Sequence, residues 1–281
     1  MPLIPKLGRG RGIAVVEVYG TIGGRVRESV YARLFSDVAT SKRYRALLLD
    51  IQSPGGSAAG SELLYYSLKK VAAQKPVVAH IRNLGASGGY YLACAANRVT
   101  ALPTSLVGSI GVIYARPILE QLLAKAGVEF SVVKGGRLKD MGGFWRGPTE
   151  EESEKLQELI GEVYENFLSV VKDGRSLPDE QARELATGEL FTARRGRELG
   201  LVDDLIDFEQ SLQLAAQLAG IESGKARPRW LRPRRALSEK LTGRPANRAI
   251  GANLLGVDLQ RLLNGGLYYL EPSALLGSLD D

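Results

Sequence analysis

Short apolar runs alternate with stretches of helical period over the first two-thirds of this chain, and that alternation predicts its architecture. Residues 12–19 (GIAVVEVY), 45–51 (RALLLDI), 76–81 (PVVAHI) and 98–101 read as strands. Runs so continuously apolar suit strands covered on both faces, as in a parallel sheet. Between them, residues 29–41 and 58–74 carry helical patterns; in the second, Leu63, Leu64, Leu68 and Val71 recur at helical spacing. Strand–helix alternation of this kind predicts βαβ units with right-handed crossovers.

The pattern continues with a helix over residues 116–127, Pro117 near its start and Gly127 as its stop, and a strand over 128–133. Thr149 then caps a long helix with acids in its first turn and Gly174 at its end. Residues 193–220 read as two helices around a short LVDDLI segment. From about Gly224 the character changes. Residues 1–224 are expected to form the catalytic domain, 225–248 a basic, proline-interrupted linker or arm, and 249–281 an amphipathic C-terminal segment, helical over 250–263.

Charge changes this picture only locally. Lysine and arginine number 37 against 31 acids, a net charge of +6. Nine of the basic residues crowd residues 225–248, opposed there only by Glu239, so the remainder is nearly neutral. The high isoelectric point is therefore no argument for a nucleic-acid partner. A single cysteine, Cys94, excludes an internal disulfide and a multi-thiolate zinc site, and a single histidine, His80, excludes a multi-histidine metal cluster. No cofactor is expected. No run approaches the length needed to span a bilayer, and residues 1–12 have no apolar core of a secretory signal. A cytoplasmic or peripheral membrane location is the expectation.

Two glycine-rich turns carry candidate chemistry. Ser53-Pro54-Gly55-Gly56 joins a strand to a helix and can aim backbone N–H groups outward, as an oxyanion hole requires. Gly85-Ala86-Ser87-Gly88-Gly89 follows the PVVAHI strand and precedes a helix, with small residues on both sides of the serine. A serine there is either a helix cap or a nucleophile. His80 sits on the strand leading into this turn and reads as a packed histidine. Lysine is the other known base for serine enzymes. Cys94 reads as packing, the acids 150–152 as helix-start charges, Asp50 as a strand-end residue of open role, and Tyr90 and Tyr91 as cleft supports.

Beyond these turns, Gly108-Ser109-Ile110-Gly111-Val112, Lys139-Asp140-Met141-Gly142, Pro148-Thr149-Glu150-Glu151-Glu152, Leu190-Phe191-Thr192-Ala193 and Leu199-Gly200-Leu201-Val202-Asp203 follow in order. Together these motifs, spread over residues 12–219, resemble the signal peptide peptidase A lineage of peptidase family S49, in its short single-unit form. The resemblance implies a ClpP/crotonase-like α/β superhelix with a mainly parallel sheet. It implies a serine endopeptidase with a Ser–Lys dyad: Ser87 as nucleophile, Lys139 as general base, and Ser109 bonded to the lysine amine. The oxyanion hole would use the backbone of Gly88 with Gly55 or Gly56. Partners would be hydrophobic peptides such as remnant signal peptides, and further copies of the chain in an octamer-like ring that supplies serine and lysine from adjacent subunits.

A free amine titrates near ~10.4, so the lysine needs a dry site, for which Phe144 and Trp145 are the neighbouring candidates. The family often carries a membrane anchor; in its absence here the basic arm could touch anionic lipid. Competing readings are a family branch that cleaves membrane-scaffold proteins, a crotonase-fold acyl-CoA enzyme, and a non-catalytic assembly protein.

Overall fold

The computed structural model describes residues 12–222, 224–233 and 267–270. In chain order the elements are β1 (Gly12–Tyr19), α1 (Glu28–Thr40), β2 (Tyr44–Ser53), β3 (Gly55–Ser57), α2 (Ala58–Ala72), β4 (Val77–Ala86), α3 (Gly88–Ala93), β5 (Arg98–Ala101), β6 (Leu106–Gly108), β7 (Ile113–Tyr114), α4 (Glu120–Lys125), α5 (Glu150–Arg175), α6 (Asp179–Leu185), β8 (Leu190–Thr192), α7 (Ala193–Glu198), β9 (Asp204–Leu205), α8 (Phe208–Leu218), β10 (Arg227–Trp230) and β11 (Leu267–Leu270).

The main sheet has the order β10-β1-β2-β4-β5-β9, with β6 pairing β4 and β8 pairing β6. All pairs but β6–β8 are parallel, so the fold is the mainly parallel, helix-flanked α/β arrangement of ClpP/crotonase type. Period-two alternation divides each strand between two cores. Val16, Leu47, Leu49 and Ile51 join α1, α2 and α3 on one face. Val15, Leu48 and Val78 meet Leu212 and Ala215 of α8 on the other. Strands buried on both sides explain why the apolar runs read so continuously.

Two stretches differ from their expected form. Residues 128–133 form no strand; Val128, Phe130, Val132 and Val133 are exposed, Val133 to 98 %. The apolar spacing is real, but among the described residues no strand pairs with it. The start of the basic arm, by contrast, is a strand: residues 227–230 pair with β1 at the edge of the main sheet. Pro228 is tolerated there because an edge strand has one side free of ladder bonds. Trp230 stacks on Phe208, ring centroids 6.5 Å apart. The rest of that arm and the expected 250–263 helix lie outside the described residues. Among the described residues no helix is long and apolar enough to cross a membrane.

A second, three-stranded sheet, β3-β11-β7, stands beside the first. Its outer strands follow directly from two of the sequence motifs.

Candidate active site

Ser87 sits where β4 ends and α3 begins, with φ 52° and ψ −118°. A non-glycine residue in that region costs on the order of 1–3 kcal/mol and persists only where its surroundings fix it. They do so here. The Ser87 N–H donates to Gly108 O at 2.8 Å, and Ser87 O accepts from Tyr91 N–H at 2.8 Å. Sharp strand-to-helix turns of this kind lift a serine Oγ out of the backbone at the top of a sheet.

The Ser53–Gly56 turn packs directly on the serine turn, and glycine is what lets it. A Cβ on Gly89 would lie 2.8 Å from Ser53 O, and one on Gly55 would lie 2.7 Å from Gly88 N. Gly55 and Gly56 also adopt φ +98° and +151°, closed to most side chains. The turn is fixed from within: Ser53 Oγ donates to Gly20 O at 2.8 Å and accepts from Gly55 N–H at 3.1 Å. That bond occupies the Gly55 N–H. Gly55→Ala should therefore lower peptide turnover by about 10²–10³-fold through misplaced oxyanion donors. A fold intact by circular dichroism with kcat reduced is the expected result, and unchanged kcat would show that the turn does not shape the site.

Ser109 follows the Gly108 carbonyl that holds Ser87, and has φ 50° itself, with its N–H bonded to Glu189 O. Strand β6 thus brings Ser87 and Ser109 together. Lys139 stands apart. It is exposed, on the turn segment before α5, and no hydrogen bond joins it to Ser87 among the described residues. Phe144 and Trp145 pack with Phe130, at centroid distances of 5.4 and 5.5 Å, rather than drying the lysine within one chain.

The lysine segment is nonetheless well anchored. Arg146 bridges Asp140 at 2.9 Å and Glu152 at 2.5 and 2.8 Å, and Lys134 also pairs with Asp140. Glu152 is the third residue of α5 and closes a capping box with Thr149. The Arg146 guanidinium holds Glu152 down to about 2, and Lys134 with Arg146 holds Asp140 down to about 2. Asp140 is thus committed to these cations.

The remaining sequence candidates lie elsewhere. His80 is buried against α8, its Nδ1 3.1 Å from both Thr100 Oγ1 and Ser211 Oγ, and burial lowers its pKa. Asp50 shares that face, accepting from Tyr19 OH and Arg82, both at 2.6 Å. Cys94 is core, its thiol pushed up to about 12 by burial. Tyr90 is fully buried and donates to Leu201 O.

Tyr91 is likewise fully buried in the core, and here the structure adds a residue the sequence reading missed: Tyr269 of β11 stacks on it, centroids 5.0 Å apart. The available signal was a four-residue apolar LYYL run between Gly265-Gly266 and Glu271-Pro272, too short to separate from any tail.

A parallel-sheet α/β fold with a strained serine on a strand–helix turn, packed on a second glycine turn, defines a serine hydrolase. Comparison with known proteins narrows the class. The model of Peptidase family S49 matches residues 69–222. "Putative protease slr0021" of Synechocystis sp. is 38 % identical over 252 residues, covering 90 % of each chain. "Serine protease SPPA, chloroplastic" of Arabidopsis thaliana is 34 % identical over 81 % of this chain, and "Putative signal peptide peptidase SppA" of Enterococcus faecium 33 % over 62 %. The chain spans 33 % and 51 % of the length of those last two relatives. The chain belongs to peptidase family S49 and is a serine peptidase.

Proposed function

We propose that this protein is an endopeptidase that cuts extended hydrophobic peptides, such as remnant signal peptides, with Ser87 as nucleophile and Lys139 as general base. The observation that carries the reading is the strained backbone of Ser87 on a turn packed against Gly55. The relatives named as SppA proteins motivate the substrate class.

In the reaction, the amine of Lys139 takes the Ser87 proton as Oγ attacks the scissile carbonyl. The developing oxyanion is held by the Gly88 N–H and by that of Gly56, since Gly55 already donates to Ser53. The protonated amine then gives its proton to the leaving nitrogen. Water, deprotonated by the same amine, releases the acyl group and restores the serine. In this reading Ser109, next to the carbonyl that holds Ser87, accepts a hydrogen bond from that amine. The amine comes from a neighbouring subunit, because Lys139 is exposed and unjoined to the serine of its own chain.

Casein hydrolysis tests this reading. Wild type is expected to turn casein over and Ser87→Ala to lose that activity, whereas turnover surviving in Ser87→Ala would favour an acyl-transfer enzyme that needs no serine.

A further inference from the structure

Two consecutive glycines leave the Gly55–Gly56 peptide group free to rotate, since neither residue has a side chain to hold it. Yet the N–H of Gly56 can serve an oxyanion only if that group keeps one orientation. The groups that hold it come from a turn outside both serine motifs, residues 20–26 between β1 and α1.

Ile22 lies along one edge of β3. Its N–H donates to Gly55 O at 2.8 Å, and its carbonyl accepts from Ser57 N–H at 2.9 Å. The approach is so close that a Cβ on Gly56 would lie 2.0 Å from Ile22 O and 2.6 Å from Ile22 N. In a trans peptide the C=O and the N–H that follows it point in opposite directions, and no peptide among the described residues is cis. Because Gly55 O is fixed on Ile22, Gly56 N–H faces the other edge of β3. The serine turn stands close by, with Gly88 N 2.7 Å from where a Cβ on Gly55 would lie. The turn that supplies Ile22 is itself closed. Val26 N–H and Gly24 N–H both donate to Thr21 O, at 3.1 and 3.0 Å, and Gly23 N–H donates to Val26 O at 3.0 Å. Ile22 and Val26 are both buried in the core shared with α1 and α2. One side chain ties this turn to the glycine pair: buried Ser53 donates through Oγ to Gly20 O and accepts from Gly55 N–H. Both polar groups of Gly55 are therefore held, one by Ser53 and one by Ile22.

Resting on the peptidase reading above, we propose that the turn of residues 20–26 is the positioning element of the oxyanion hole, acting through Ile22 N–H and through the Ser53 hydroxyl. Ser53 touches no reacting atom and is a positioning residue. Together the two contacts set the Gly55–Gly56 peptide plane before substrate arrives, so the developing oxyanion meets an aligned Gly56 N–H without a cost of reorganisation. A peptide plane released from them would weaken the bond to the charged oxygen while leaving ground-state contacts of the substrate in place. The effect therefore falls on kcat and spares KM.

Full-length wild type, Ser53→Ala, Ser53→Cys and Ser87→Ala test this, by kcat and KM on a fluorogenic leucyl peptide and by inhibition with the aldehyde and the alcohol of the same peptide. The aldehyde forms a tetrahedral adduct with Ser87 that places its oxygen in the oxyanion hole, and the alcohol forms none. Ser53→Ala should lower kcat by ~10–100-fold with KM held within about twofold. It should weaken the aldehyde by the same factor and leave the alcohol unchanged. Ser53→Cys keeps the side-chain volume and a weak partner for Gly55 N–H, so its kcat should fall between the two; it decides the matter if Ser53→Ala does not fold. Unchanged kcat in the folded variants would overturn the inference and leave the peptidase reading standing. Equal losses of aldehyde and alcohol affinity would do the same, since they mark a site disturbed as a whole. Turnover surviving in Ser87→Ala would remove the peptidase reading and this inference with it.

Discussion

Ser87→Ala and Lys139→Ala proteins, each inactive alone, are expected to regain peptidase activity when co-expressed or refolded together. Each single change should cost on the order of 10⁴-fold or more in kcat, as loss of a nucleophile or its base does elsewhere. The recovery follows from where the two residues sit. Ser87 is buried at the turn after β4, whereas Lys139 is exposed on an arm anchored through Arg146 to the start of α5. On the same arm Ile118, Leu122 and Phe130 are 54 %, 61 % and 47 % exposed, an apolar face suited to cover by a second copy. If one copy's arm reaches the next copy's serine around a closed ring, a site works when the serine chain and the lysine chain are each intact at that residue. Random one-to-one assembly makes about one quarter of sites competent. Recovery near that fraction would establish shared sites. A mixture as inactive as the singles would place serine and lysine in one chain, and activity in either single would remove that residue from the dyad.

What the sequence made legible was whatever rests on local pattern. The strands β1, β2, β4 and β5 follow from apolar runs covered on both faces, and α5 from its threonine cap and acidic first turn, although it runs through Gly174 and stops at the left-handed Ser176. Ser87 was visible because only glycines and an alanine border it, and the structure gives the reason: side chains on Gly88 or Gly89 would strike Ser61 Oγ or Ser53 O. What rests on distant pairing was not legible. Nothing local to LYYL announces that it lies against Gly55–Ser57, some two hundred residues earlier. Likewise a proline and two arginines argued against a strand at 227–230, until the exposed edge of β1 made room for one. The 128–133 run erred in the opposite sense, since its apolar residues are real but pair with no strand among the described residues.

Arg175→Met is expected to cost about 3 kcal/mol of stability, the largest single loss predicted away from the site. Arg175 is the last residue of α5, and its side chain is 6 % exposed. It grips Asp203 with two bonds, 2.8 and 3.1 Å, and Gly200 O with a third at 3.0 Å. Asp203 also accepts from Val99 N–H at 2.6 Å, so this one arginine ties the end of the long helix to β5. Removing it strands a carboxylate that water reaches only in part, at 20 % exposure. For a domain of this size the melting temperature should fall by ~6–12 °C.

The exposed pair Arg183–Glu165 is the control, and Arg183→Met should leave the melting temperature nearly unchanged, because water and salt screen that pair. The pH dependence separates charge from packing. Burial pushes Asp203 up, but Arg175 outweighs it and holds the carboxyl below its ordinary value. A depressed pKa contributes stability that is present above about 3.9 and lost as pH falls through the folded value. In Arg175→Met burial acts on Asp203 without its main counter-charge, so its deficit should be greatest at neutral pH and shrink below about pH 4. An equal loss at both pH values would mean that Arg175 stabilises the protein through its contacts with the helix end and not through its charge.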